Sequence, residues 1–280
     1  MSNVATIDFH VTSDCSQECP YCWGPQDVAQ VDTDTALAIV AKIAASGALR
    51  IVFTGGDPMQ RGDIGRLIDS AKQQGLEVAL STTGDELSKN FLDRHGDNID
   101  LVSLPLDGST EGVSSRTKNP GHFDAVMSAL GLLAAHPRID VKVATPVTRF
   151  NIEDVPNIVG LLERYAGQAP NRVFYNVFQA FPRSMDPDVA WDELVVSDAE
   201  FAALRDTVAA SGLKINWLDH DTLDRLYVMV FPDGRLTVPA GARFAFYGDF
   251  LTIDDLDEVL RRAEFDVEKH RRHAEGWARN

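Results

Sequence analysis

The chain has 280 residues, enough for one large α/β domain with a well-buried core or for a domain with a small appendage. Its 44% hydrophobic and 24% charged content is ordinary for a soluble globular protein, no apolar run approaches a membrane span, and Met1-Ser2-Asn3 lacks a signal peptide's basic start; a cytoplasmic location is expected. Forty-two acidic against 26 basic residues give a formal charge of −16, which repels nucleic-acid backbones and anionic membranes and leaves small molecules as the expected partners.

Strand and helix patterns alternate from the start. Val4 to Val11 reads as a strand, a helix runs from about Thr33 to Ser46 and ends at Gly47, and Arg50 to Thr54 is a short buried strand. Ile64, Leu67, Ile68 and Ala71 mark one helix face; Glu77 to Ser81 is a third strand, with a short helix near Glu86 to Leu92 behind it. Leu101 to Leu104 and Val141 to Ala144 are the fourth and fifth strands, and Val173 to Phe178 the sixth; helix faces at Val126–Leu133 and Val155–Leu162 separate them. Such repeated strand–helix units imply a parallel sheet, because parallel neighbours need a crossover of this length. The polar stretches fall at the carboxyl ends of the strands, where barrels carry their sites.

After about residue 181 the pattern changes. Pro182 to Glu193 reads as an irregular loop, and Phe201, Leu204 and Val208 mark a helix opened by a capping box of Ser197 and Glu200. Tyr227 to Phe231 and Leu236 to Val238 form a hairpin through Pro232-Asp233-Gly234, and Asp254 to His273 is a charged helical tail. Residues 1–181 are therefore expected to form the core and 182–280 a C-terminal α/β extension that covers the barrel mouth.

All three cysteines lie in Cys15-Ser16-Gln17-Glu18-Cys19-Pro20-Tyr21-Cys22. Three thiolates on one loop form a soft-metal site. With His10 as a fourth ligand they suit zinc. Alone they are one short of the four that close an iron–sulfur cluster, which leaves one iron open. A disulfide fits poorly, since the count is odd and nothing suggests export.

The C-x3-C-x2-C spacing, with Tyr21 before the last cysteine, resembles the signature of the radical S-adenosylmethionine (radical SAM) superfamily. The resemblance implies a partial (β/α)6 TIM-like barrel, one 4Fe-4S cluster on Cys15, Cys19 and Cys22, and S-adenosyl-L-methionine on the open iron. It also implies reductive cleavage to a 5′-deoxyadenosyl radical that abstracts hydrogen from substrate, with electrons from an external donor such as flavodoxin or ferredoxin. Gly55-Gly56-Asp57-Pro58 resembles the family's Gly-Gly-Glu-Pro motif, which holds the cofactor's amino group; Asp57 is one methylene shorter. Paired glycines suit close backbone approach to a ligand, although an ordinary βα turn would look alike. Ser81, Thr82 and Thr83 match polar positions near the ribose or the amino-acid part. Ser103 and Asp107 match a Ser-Leu-Asp-Gly-like element, in which Asp107 alternatively caps a turn. Arg116 matches an arginine that meets the cofactor carboxylate, where a guanidinium donates two parallel hydrogen bonds; the alternative is a surface arginine. Because the extension has no cysteine, only one cluster is expected.

A narrower resemblance, to the nucleotide-dehydrating member viperin, runs through Lys142 to Asp154, Asn176 to Gln179 and Val195 to Phe201. Lys142 is kept, while Ala144, Phe174 and Asn176 take the other three anion-binding positions. Alternation puts Phe174, Asn176 and Phe178 on one strand face and Tyr175, Val177 and Gln179 on the other, and the resemblance turns the first set inward. The expected pocket has an aromatic wall, the amide of Asn176 and one cation at Lys142, and suits a nucleoside- or sugar-type molecule with at most one strongly anionic group. In the competing arrangement Lys142 pairs with an internal carboxylate and Phe174 is core. Two other functions remain open: modification of a ribosomal peptide, and a non-catalytic zinc-binding α/β protein.

Overall fold

The computed structural model describes residues 4–183 and 189–276, so 184–188 of the expected irregular loop lie outside the described residues. Six strands follow one another in space as in sequence: β1 (Thr6–His10), β2 (Arg50–Thr54), β3 (Glu77–Ser81), β4 (Leu101–Pro105), β5 (Asp140–Val147) and β6 (Val173–Gln179). Each is parallel to the next. The crossovers carry α1 (Thr33–Ala45), α2 (Ile64–Gln73), α3 (Lys89–His95), the short α4 (Glu111–Ser114), α5 (His122–Leu133) and α6 (Val155–Gln168). Local chemistry starts these helices where the sequence places polar caps: Asp32 accepts from the Thr35 amide and Ser88 from the Phe91 amide.

The extension builds onto both flanks of this sheet. It contains α7 (Trp191–Leu194), α8 (Asp198–Thr207), β7 (Lys214–Leu218), α9 (His220–Leu223), β8 (Met229–Val230), β9 (Arg235–Ala240), β10 (Arg243–Asp249), α10 (Leu256–Arg262) and α11 (Val267–Glu275). β7 lies parallel to β6 and β8 parallel to β1, while β9 and β10 continue antiparallel, giving the order β10-β9-β8-β1-β2-β3-β4-β5-β6-β7. The Ser197–Glu200 capping box and the β8–β9 hairpin stand where the sequence puts them. β7 and β10 are additions to that reading. Both are exposed or half-exposed along most of their length, so neither carries a clean alternation of apolar and polar residues. The charged tail is two helices, with Glu264 between them at a φ of 52°.

Alternation sorts the strands into two packed layers. Outward residues such as Phe9, Phe53, Leu80, Leu104, Val143 and Val177 pack on the apolar faces of α1, α2, α5 and α6. The inward faces form a small second core of Val52, Ala79, Leu101 and Phe174. Above that layer, towards the carboxyl ends, the inward positions turn polar: Ser81 pairs with Ser103 across β3 and β4, and Ser103 with Lys142 across β4 and β5.

The extension reaches both ends of the barrel. Trp191 and Leu223 line the cavity at the mouth, whereas α11 crosses the amino ends of β1 to β3 and closes the floor. His270 anchors it: Nε2 accepts from the amides of Ala5 and Thr6, both at 3.1 Å, while Nδ1 lies 2.9 Å from the Leu226 carbonyl. Beyond α11, a Cβ on Gly276 would come 3.7 Å from Asn216 Oδ1 on β7. No described helix is long and apolar enough to cross a membrane.

Candidate active site

β1 delivers the cysteine loop and β2 delivers the glycine pair beside it. The Gly56 amide donates to the Thr12 carbonyl at 2.8 Å, and the Asp57 amide to the Asp14 carbonyl at 2.7 Å. Gly55 has a φ of +150°, and a Cβ there would sit 2.3 Å from the Thr12 oxygen. One on Gly56 would sit 2.3 Å from the Asp14 oxygen. The close approach that the glycines permit is thus to the backbone leading into Cys15. Gly56 also lines the cavity that the cysteines share.

Two buried carboxylates tie the remaining loops together. Asp57 is fully buried; it accepts from the Thr82 hydroxyl at 2.8 Å, the Thr83 hydroxyl at 2.6 Å and the Met59 amide at 3.0 Å. It does not line the cavity, whereas Thr82 and Thr83 do. Asp57 therefore acts here as a brace, joining the end of β3 to the glycine turn. Asp107, also fully buried, accepts from the Tyr21 hydroxyl and, at 2.6 Å, from Thr117. That bridges the cysteine loop to the segment after β4.

The cation on this side of the cavity is Lys118, not Arg116. The 114–118 segment turns tightly, with the Thr117 and Lys118 amides donating to the Ser114 carbonyl, and residues two apart on such a turn face different ways. Lys118 is buried with Nζ 3.0 Å from Cys19 Sγ and lines the cavity. Burial opposes its charge, but Asp107 and Cys19 outweigh it and hold its pKa above the ordinary lysine value. Arg116 is exposed and spends its guanidinium on a 3.4 Å contact with the Phe150 carbonyl.

The cavity has a volume of about 310 Å³ and is lined by Cys15, Cys19, Cys22, Tyr21, Gly56, Ser81, Thr83 and Ser103, among others. Below it, inside the barrel, a second cavity of about 180 Å³ shares the walls Trp23, Thr54, Ser81, Ser103, Ala144 and Phe178. Asp8, Lys142, Tyr227 and His273 line its lower part. Burial raises the Asp8 carboxyl, against the opposing pull of Lys142 and Arg50, and lowers the Lys142 ammonium, against the pull of Asp8. Lys142 accordingly faces an internal carboxylate, and Phe174 packs in the inward core, as in the competing arrangement. Asn176 is inward but spent: its Oδ1 accepts from Asn216 at 2.8 Å, and it lines neither cavity. Tyr175 is in the outer core, its hydroxyl donating to Thr145 at 2.9 Å.

A family model described as the radical SAM superfamily matches residues 9–162, more than half of the chain. The chain belongs to that superfamily. A radical SAM enzyme uses a 4Fe-4S cluster and S-adenosylmethionine, and the donors present fit both: three thiols around one cavity mouth, with serine and threonine side chains at its rim. Among the described residues no three Cys, His, Asp or Glu side chains converge as one metal ion would need. His10, the zinc alternative's fourth ligand, is instead buried against Phe231 at 5.3 Å between ring centres.

Similar proteins include the S-adenosylmethionine-dependent nucleotide dehydratase of Lacinutrix mariniflava, 26% identical over 96% of this chain and 57% of that protein. The one from Flammeovirga pacifica is 29% identical over 83% of this chain and 81% of its own length. The mycofactocin maturase MftC of Mycobacterium ulcerans is 27% identical over 75% and 56% respectively. The chain thus spans little more than half the length of the first and third of these relatives. Among solved structures, Streptococcus suis SuiB bound to its precursor peptide SuiA superposes with a TM-score of 0.73 at 12% identity, covering 95% of this chain and 66% of that one. This likeness carries the fold alone, a radical SAM partial barrel.

Among the cavity residues not singled out from the sequence, two are cations. Lys118 lies two positions from Arg116 and would have been found by asking which cation the turn buries. Arg183 lies in the segment read as irregular loop; it is 5% exposed and lies 3.8 Å over the Trp23 ring. Its only signal in sequence is the tryptophan beside Cys22.

Proposed function

We propose that this enzyme uses the 5′-deoxyadenosyl radical to abstract hydrogen from a small ring-bearing molecule, of nucleoside, nucleotide or sugar type. The observation that carries this reading is the closed floor. The chamber beneath the cysteine cavity holds about 180 Å³ and ends on His270, His273 and Ala274 of α11. A chamber of that size, floored by α11, suits a single ring with its substituents. The nucleotide dehydratases matching 96% and 83% of the chain support the same class.

In this reading Cys15, Cys19 and Cys22 hold the cluster, and Lys118 lies against Cys19. Tyr21, Gly56, Ser81, Thr82, Thr83 and Ser103 receive S-adenosylmethionine at the rim, with Gly55 and Asp57 shaping that rim from behind. The bound cofactors supply the radical. This chain's own contribution is to orient the substrate's ring against Trp23 and Phe178 and to exclude water. Asp8 and Lys142, which line the same floor and whose charged forms burial disfavours, are able to hold or pass a proton in a later elimination or rearrangement. Residues 1–181 would carry the cofactors and 182–280 complete the substrate side. Electrons would come from a flavodoxin- or ferredoxin-type donor, as befits a cytoplasmic enzyme.

The test is anaerobic reconstitution followed by mass detection of 5′-deoxyadenosine with reductant and a substrate panel. About four irons per chain through the three cysteines, and 5′-deoxyadenosine formation stimulated by nucleosides, nucleotides or sugar nucleotides, are expected. Stimulation by peptides alone would move the enzyme to the maturase class, to which MftC belongs by name.

A further inference from the structure

Two buried charges around the cavity have partners: Lys118 has Cys19 and Asp107, and Lys142 faces Asp8. Arg183 is different. Its Nη2 donates to the Leu223 carbonyl at 3.1 Å, but Nε and Nη1 are buried without any hydrogen-bond partner. Trp23 Nε1, on the ring that Arg183 covers, is likewise buried and unpartnered. Both side chains line the cavity, and the Trp23 indole separates it from the chamber below. Burial pulls the Arg183 pKa down to about 10, with Tyr227 and Asp224 opposing from farther off, so it remains a cation at neutral pH. The Asp224 carboxylate is already taken by the Gly241 amide at 2.6 Å and by Arg225.

Stacking does not satisfy this arrangement. A guanidinium over an indole gains a cation–π attraction through its face, but its N–H bonds lie in its own plane and need acceptors there. Burying a charged donor without an acceptor is costly, so a ligand group that supplies the acceptor gains the full value of that bond. The group is also held in place: Phe244 of β10 stacks on Trp23 at 5.2 Å, and Phe181 lies 5.0 Å from the Arg183 guanidinium.

We propose that Arg183 and Trp23 form the binding site for one oxyanion, a carboxylate or a phosphate monoester, on the substrate. With Nη2 held by the Leu223 carbonyl, Arg183 keeps Nε–H and Nη1–H on different edges of the guanidinium, and Trp23 keeps Nε1–H, so an oxyanion would accept from one guanidinium edge and from the indole. The site holds one charge and no second unpaired cation is seen beside it among the described residues, so it selects a singly substituted acid over a polyphosphate. The inference rests on reading the chamber as the substrate's, and it assigns to Arg183 the anion contact that the sequence reading gave to Lys142.

The probes are phenyl phosphate and benzoate, each against a neutral counterpart, phenol or benzyl alcohol. They are titrated calorimetrically into cluster-loaded enzyme with S-adenosylmethionine present. The parent should bind an oxyanion about tenfold or more tighter than its neutral counterpart, and the better of the two probes identifies carboxylate or phosphate. Arg183→Met should abolish that preference while the S-adenosylmethionine Kd stays within about twofold. Should that variant lose its cluster or its melting transition, Arg183→Lys and Trp23→Phe decide: each should keep the fold and lose part of the preference. Equal binding of charged and neutral probes by the parent overturns the proposal. So does an Arg183→Met variant that keeps the preference, or one that keeps it while losing about tenfold in S-adenosylmethionine affinity, which would give the guanidinium to the cofactor carboxylate. The two readings fail separately. Oxyanion binding with radical formation stimulated only by peptides would sink the small-molecule function and leave the site. Nucleoside-stimulated radical formation without oxyanion binding would do the reverse.

Discussion

The two walls of the cavity are built on opposite principles. On the side of β1 to β4, polar groups are largely spent on one another: Asp57 takes both threonine hydroxyls, Asp107 joins Tyr21 to Thr117, and Lys118 lies on Cys19. On the side of the extension, Arg183 and Trp23 present buried donors with nothing to bond. A braced wall fixes one geometry. It suits a cluster and a cofactor that are the same in every turnover, since a preorganised site loses nothing to rearrangement when it binds. An unsatisfied wall carries an energetic debt until a particular group arrives, which makes it selective for that group. In a family that shares its cofactors and varies its substrates, the second wall is where difference belongs.

The comparison breaks most completely at Gly56. A Cβ there meets the Asp14 oxygen at 2.3 Å and the Ser13 oxygen at 2.4 Å, both rigid backbone, so the cysteine loop must move. Gly56→Ala should cut 5′-deoxyadenosine formation on the order of a hundredfold, the cost of misplacing reacting groups by about an ångström. Iron per chain should fall with it. Normal iron content with normal activity would mean the two loops are less tightly coupled than their hydrogen bonds imply.

Asp57→Ala comes next. It removes a carboxylate that no cavity surface touches, yet leaves the Thr82 and Thr83 hydroxyls unpaired. A loss of about 1–3 kcal/mol in stability and about tenfold in S-adenosylmethionine affinity is expected, with the cluster absorption unchanged. Tight cofactor binding by the variant, measured by equilibrium dialysis, would show that the brace is dispensable.

What was legible in the sequence divides along the same line. The cysteine loop, the glycine pair and the Ser-Thr-Thr strand end are short contiguous strings at the ends of clearly patterned strands, so position and chemistry were readable together. The second wall is assembled from distant pieces: Trp23, Phe181 to Arg183, Leu223 and Phe244 meet only through tertiary packing. Arg183 follows Pro182 in a stretch without periodicity, and β10, which supplies Phe244, is mostly exposed. The floor was hidden for a related reason. A charged helical tail such as α11 gives no hint that His270 will bond the amides at the start of β1, more than 260 residues away.

The braced wall should also be the acid-sensitive one. His10 ends β1 directly below the cysteine loop, and burial lowers its pKa to about 3. A base whose folded pKa is depressed is protonated first in the unfolded chain. As pH falls from about 6.5 towards 3, the unfolded state gains protons and stability is lost, by about 2 kcal/mol between pH 6.5 and 5. His273 on the floor, also lowered to about 3 by burial, adds a slope of the same sign, while the raised carboxyl of Asp8 gives one of opposite sign over the acid range. Comparing His10→Phe with the parent cancels both. The aromatic replacement should equal the parent near pH 8 and exceed it by about 3–6 °C in Tm at pH 5. A constant difference at both pH values would mean that His10 is not a buried neutral base.

The smallest expected effect is the sharpest test of how the walls were assigned. Arg116 matches a family arginine by sequence, but its side chain is exposed and its one bond, to the Phe150 carbonyl, is 3.4 Å long. Surface groups held so loosely contribute within about 0.5 kcal/mol, so Arg116→Ala should change the S-adenosylmethionine Kd by no more than about twofold. Lys118→Met provides the contrast. It removes a buried cation 3.0 Å from Cys19 Sγ and, with it, the charge facing Asp107. Hydrogen bonds and positive charge at a cluster's sulfur ligands favour the reduced, more negative state, so this variant should lower the cluster's reduction potential in a spectroscopically followed redox titration. Arg116→Ala should leave that potential where it is. If the two variants exchanged behaviours, with Arg116→Ala losing the cofactor and Lys118→Met indifferent, the exposed guanidinium would have to swing inward on binding. The braced wall would then contain a moving part that its hydrogen bonds do not reveal.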